Sequence, residues 1–148
     1  MQESQIVLIS IGVATISAIA AAISAWLTYS IAKRSELNDL EKNLDDILKI
    51  GIEYPYLESK HFTIRWNEFK ETDDERYLRY DMFCNLVFNY IHKVYQHFNG
   101  DKSKIENYVD IKNWIRLHEQ NWRNPIDPHE NIDGYDEQFR TFINSYIN

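Results

Sequence analysis

The alternation of polar and apolar positions changes character once along this chain. From Ile6 to Ala32 no side chain is charged; from Lys33 onward charged side chains are spread over the rest of the chain. As a helix the charge-free stretch would be about 40 Å long, enough to cross a hydrocarbon core of about 30 Å with some tilt. The pattern predicts a transmembrane helix over 6–32, preceded by a short exoplasmic tail at 1–5. A cleaved signal peptide fits less well. Residues 1–5 carry no positive side chain, and the apolar run is longer than the ~7–15 residues of such a segment.

The next stretch, 33–50, has no breaker and reads as continued helix. Leu37, Leu40, Leu44 and Ile47 are spaced three, four, three, the rhythm of a helical seam. Two readings fit: a juxtamembrane amphipathic helix packing on its own domain, or a short coiled coil joining protomers, for which Leu37, Leu40, Leu44 and Ile47 are the candidate interface. Gly51 and the Tyr54-Pro55 pair mark its end, since the residue before a proline avoids the helical region.

Residues 51–148 predict a cytosolic helical domain. A second helix is expected from Pro55 to about Lys70. A third should run from a capping box at Thr72-Asp73-Asp74-Glu75 to a stop at Asn99-Gly100. Its apolar face is read as Leu78, Met82, Phe83, Leu86, Val87, Tyr90, Ile91, Val94, Tyr95 and Phe98. A fourth helix is expected from about Ser103 to Trp122, then a loop at 126–134 rich in Asp, Pro and Asn. A last helix should begin at Asp133 or Gly134. The expected fold class is all-α: one N-terminal transmembrane helix continuing into a small cytosolic bundle.

Charge sets the orientation. All 16 Lys and Arg lie after the apolar stretch, beginning with Lys33 and Arg34. Cations gather on the cytoplasmic side, so the N-terminus should face out and the C-terminal domain in, as a single-pass protein of the inner (plasma) membrane. Trp26 and Tyr29 suit the interfacial belt. Of the 23 acids, 22 also follow the stretch, leaving the C-terminal part net acidic. That balance argues against nucleic acid as a partner, which needs a surplus of cations.

Within the apolar stretch small residues recur every three or four positions: Ser10, Ala14, Ala18 and Ala22, with Ser17, Ala21 and Ala25 beside them. Such a strip lets two helix backbones approach closely, so these seven residues are the candidate interface in the membrane.

Catalytic chemistry has little to stand on. No two of the five histidines stand at the i,i+3 or i,i+4 spacing of a helical metal pair, and no phosphate loop, nucleophile elbow or kinase signature occurs. No catalytic residue, metal ligand or cofactor is expected. Cys84, the only cysteine, sits among apolar neighbours with His92 too far along the helix to activate it. The one suggestive patch is Trp114, Arg116, His118, Trp122 and Arg123. On a continuous helix, Trp114, His118 and Trp122 would form a single aromatic ridge flanked by guanidinium groups, suited to a partner or ligand; the same rings would equally serve as core.

The expected function is therefore a membrane-anchored helical interaction or regulatory module, with the lipid bilayer, a second copy or another membrane protein as partner. The alternative is a membrane-acting effector, a small defence or toxin-like protein whose clustered spans perturb the bilayer through a seam of Ser and Thr.

Overall fold

A computed structural model describes residues 2–69, 72, 74–125 and 132–147, with side chains from Thr15 onward. The described chain is all-helical, with a long apolar helix at its N-terminus and no strand among the described residues. That first helix, α1, runs Gln2–Glu53. It ends where expected of Pro55 rather than at Gly51, which lies inside the last turn.

The chain divides into two compact units, Met1–Asp39 and Leu40–Asn148. In the first, the described side chains are exposed almost without exception: Ile16, Ile19, Trp26, Tyr29 and Ile31 are each at least 55% open.

The second unit folds around its own core. After α1 come a 3-10 turn at Pro55–Glu58, α2 (Lys60–Arg65) and a second 3-10 turn at Trp66–Phe69. Helix α3 (Glu75–His97) follows, then α4 (Lys102–Tyr108), α5 (Ile111–Leu117), α6 (Glu119–Arg123) and α7 (Glu137–Asn144). The single helix expected over 55–70 is thus three short pieces. The one expected over 103–122 is also three: Asp110 caps a new helix by accepting from Asn113 N, and Val109 before it is extended. A side chain that satisfies an orphan amide competes directly with continuing the helix.

The capping box at the start of α3 does not form. Asp74 is the cap, accepting from Arg76 N at 2.9 Å, and Thr72 instead donates to Phe69 O. Asp73 lies outside the described residues, as does most of the expected loop at 126–134. Helix α7 begins later than expected, capped by Asp136, which accepts from Phe139 N at 2.8 Å. The stop after α3 is as expected. Asn99 and Gly100 take φ of 51° and 72°, and Gly100 N donates to Tyr95 O. A Cβ at Gly100 would meet the Tyr95 ring at 3.0 Å in addition to that positive φ, so glycine is required there.

Helix α3 is the spine of the core: Phe83, Val87, Tyr90, Ile91 and Val94 of the expected face are buried and Tyr95 and Phe98 pack against the core, but its N-terminal half turns a different side inward. Tyr77, Tyr80, Cys84, Val87, Ile91 and Val94 recur at three- and four-residue steps and are buried, with Phe83, Phe88 and Tyr90 beside them. Leu78, Met82 and Leu86, assigned inward from hydropathy, are 61%, 68% and 45% exposed. At about 100° per residue they lie across the helix from the buried set. Aromatic rings decided the phase. Tyr80 meets Phe62 and Trp66 edge-on or tilted, and Tyr77 stacks on Trp66 with centroids 4.9 Å apart. Each large side chain buried this way contributes roughly 1.5–3 kcal/mol, so the ring-rich face outweighs a leucine stripe.

Candidate functional site

Two of the three candidate surfaces can be located side chain by side chain. Of the strip in the apolar helix, Ser17, Ala18, Ala21, Ala22 and Ala25 are exposed; the side chains of Ser10 and Ala14 lie outside the described ones. Thr28 Oγ1 donates to Ser24 O at 2.9 Å, so that hydroxyl is satisfied within its own helix.

The seam on the C-terminal part of α1 is used within the chain. Leu40 and Ile47 are 5% exposed and belong to the core of the second unit, Leu44 packs against that core, and Leu37 is half-buried. The amphipathic-helix reading therefore holds for Leu40, Leu44 and Ile47. The coiled-coil reading fails for Leu40 and Ile47, whose side chains already have intramolecular neighbours.

The expected ridge is also corrected. Helix α5 ends at Leu117 and α6 starts at Glu119, so Trp114, His118 and Trp122 do not share one continuous helix. His118 and Trp122 are 0% and 2% exposed. The Trp122 indole donates to Asn144 Oδ1 at 2.9 Å, while Arg116 Nε donates to the Tyr146 carbonyl and Arg123 pairs with Glu119 within one turn. Only Trp114 keeps a partly open ring, and its Nε1 donates to Glu58 Oε1 at 2.8 Å. The rings fill the core, and the guanidinium groups are occupied at its surface.

What sequence spacing did not reveal is a polar cluster that assembles beside the Trp114 bond. His118, entering from the α5–α6 break, places Nδ1 3.0 Å from Tyr80 Oη and 3.7 Å from Cys84 Sγ. Its Nε2 faces Glu58 Oε1 at 3.8 Å, too far for a hydrogen bond, and has no partner. Thus the histidine near Cys84 is His118, contributed by a distant segment, not His92. Only contact across 34 positions makes the pair, which no local pattern can show.

The electrostatics make this cluster a structural one. Burial pushes the Cys84 thiol far above its ordinary value, although the Tyr80 hydroxyl opposes this, and burial likewise raises the Tyr80 phenol. A nucleophilic thiol needs the reverse, an electropositive and accessible setting. Cys84 is 0% exposed. At Glu58, burial raises the carboxyl, but His118 and the Trp114 indole outweigh it, leaving the group below its ordinary value and anionic at neutral pH. Of those two neighbours only Trp114 is within hydrogen-bonding distance.

Glu58 also lines an open groove of about 490 Å³, together with Leu44, Leu48, Val109, Trp114 and Leu117. A neighbouring hollow of about 550 Å³ is bordered by Lys60, Arg116 and Glu119 and carries mixed charge. Among the described residues no three His, Cys, Asp or Glu side chains converge as a metal site would require.

The fold and these sites define an all-helical protein with one long N-terminal helix apolar enough to cross a membrane by length and composition. No protein-family model, curated protein or solved structure matches the chain.

Proposed function

We propose that the protein is a single-span membrane-anchored helical module, N-terminus outside and acidic domain in the cytosol, that assembles with itself or with another membrane protein. The observation that carries this reading is the exposure of the apolar helix. None of its most apolar window is buried, and Ile16, Ile19, Ile23, Trp26 and Leu27 are 47–69% open. A soluble protein rarely leaves a contiguous apolar surface of this length facing water, whereas lipid accepts it without cost. Lys33 and Arg34 at its cytosolic end set the direction. The small strip Ser17, Ala18, Ala21, Ala22 and Ala25 offers the flat face on which a second span would pack.

Cross-linking in native membranes tests assembly. The expected result is a ladder of cross-linked species that Ala18→Leu/Ala22→Leu/Ala25→Leu collapses; a ladder unchanged by the triple substitution removes the strip as an interface. Protease added outside intact cells tests orientation, and digestion of the domain after residue 40 would reverse it.

A further inference from the structure

The groove beside Glu58 differs from the rest of the surface in two ways. Its walls are apolar, formed by the i,i+4 pair Leu44 and Leu48 on one side and by Val109, Trp114 and Leu117 on the other. Leu48, 48% exposed, is the most open of the large apolar side chains there. Its only charged lining groups are acids, Glu58 and Asp110, with no Lys or Arg among them. The adjoining hollow, by contrast, has two cations in its wall.

Glu58 lines this groove with one of its carboxylate oxygens already engaged. Both of its neighbours, the Trp114 indole and the His118 ring, face the same oxygen, Oε1. Among the described residues no protein group engages Oε2, and the side chain is 35% open to solvent. Trp114 therefore fixes the carboxylate at the groove edge without neutralising it. Asp110 adds a second negative charge, its position set by capping α5.

We propose that this groove is a docking site for a basic amphipathic helix of a partner protein. Leucine-like side chains at helical spacing enter between Leu44, Leu48 and Trp114, while a Lys or Arg beside them reaches Glu58. This is the helix-in-groove mode, with acids at the rim selecting basic partners. Anionic lipid and nucleic acid are disfavoured by the same two carboxylates. The inference concerns residues 40–148 and stands whether or not the apolar helix crosses a membrane.

The test uses the full chain in mild detergent and three fluorescently labelled synthetic peptides of about four helical turns. One has Leu at helical spacing with Lys elsewhere, one has Glu in place of Lys, and one is the Leu/Lys composition scrambled. Anisotropy titration should show binding of the patterned Leu/Lys peptide, and markedly weaker binding of the other two. Leu48→Asn and Glu58→Gln should each weaken it by about fivefold or more. Substitution of the exposed Leu48 should leave the melting temperature unchanged, whereas Glu58→Gln lowers it slightly because the carboxylate also accepts from Trp114, and circular dichroism checks that the domain stays folded. Leu86→Asn, on an exposed stripe elsewhere, should leave binding unaltered. Three results overturn the proposal: equal binding of the Leu/Glu peptide, binding indifferent to both groove substitutions, or a concentration-dependent dimer that Leu48→Asn abolishes, which would make a second copy the occupant.

Discussion

One helix, α1, runs through two regions that treat their apolar side chains in opposite ways. From Thr15 to residue 39 its described large apolar side chains are exposed, Ile16 and Ile31 at 69% each, apart from the half-buried Leu37. From Leu40 on, the inward side chains are enclosed: Leu40 and Ile47 at 5%. The second region also surrounds its core with rings. Phe88 and Trp122 lie 4.7 Å apart by centroid, Tyr95 and Phe142 4.9 Å. Two of its three indoles, Trp114 and Trp122, reach fixed acceptors, Glu58 and Asn144, while the buried Trp66 Nε1 has no hydrogen-bond partner among the described residues. The same secondary structure thus serves two environments. Burial by neighbouring helices defines the domain, and the lack of it in the first region is what calls for another solvent or another chain.

The sharpest way to break this contrast is to charge the first region. Ile19→Arg combined with Ile23→Arg places two cations in the apolar stretch, at about 2.5–3.5 kcal/mol each near a bilayer centre. Carbonate extraction should shift the protein from pellet to supernatant while the domain melts at its original temperature. Retention in the pellet would mean that lipid is not the environment of this helix. Conversely, Phe83→Ala or Phe88→Ala should cost the domain about 3–5 kcal/mol by leaving a cavity among packed rings, without altering membrane fractionation. Thermal melting and fractionation read the two effects separately.

A smaller effect follows from the buried thiol. Cys84 has a folded-state pKa raised by burial, and Tyr80 likewise. A raised pKa gives stability that is present below the unfolded value and lost progressively as pH rises above it, because only the unfolded chain then releases the proton. The domain should therefore lose stability from about pH 8.5 upward, by at most ~1.4 kcal/mol per pH unit for one group. Cys84→Ala should flatten that loss between the ordinary thiol and phenol values, in melting curves taken as a function of pH. Glu58 acts at the other end. Its lowered pKa adds stability above the ordinary carboxyl value that disappears as the pH falls through the folded one. An alkaline slope identical in Cys84→Ala would show that the thiol is not sequestered.

How much of this was legible in the chain itself depends on whether the signal was local. The charge gap from Ile6 to Ala32, the Asn99-Gly100 stop and the all-helical class were readable, because each rests on composition or on backbone chemistry at one place. The breaks at Val109 and His118 were not. Asp110 as a helix cap looks like any acid on a polar face until its carboxylate is seen to accept from Asn113 N. The surface ridge of Trp114, His118 and Trp122 was not legible for the same reason, since its spacing assumes a continuous helix, whereas the core reading of the same rings fits His118 and Trp122. The cluster of Glu58, Tyr80, Cys84 and His118 joins three segments, and apart from the i,i+4 pair Tyr80 and Cys84 on α3 its members share no sequence period. A search for apolar spans bounded by a cap residue such as Asp110 would have suggested the shorter helices.

The finest test concerns the side of α3 that hydropathy assigned to the core. Leu78, Met82 and Leu86 recur every four residues and are exposed, whereas Tyr80, Cys84 and Val87, close by on the same helix, are fully enclosed. Exposed apolar side chains make few contacts to lose. Leu78→Ala and Met82→Ala should each change stability by no more than about 0.5 kcal/mol, against roughly 1–3 for Val87→Ala. Urea unfolding of the domain's signal distinguishes these readily, because truncation at either site should leave the slope with denaturant unaltered. A loss at Leu78 or Met82 as large as at Val87 would mean that this stripe is enclosed in the assembled protein. The contrast would then lie not between an exposed first region and a closed second one, but between two surfaces of one chain that each await a covering partner.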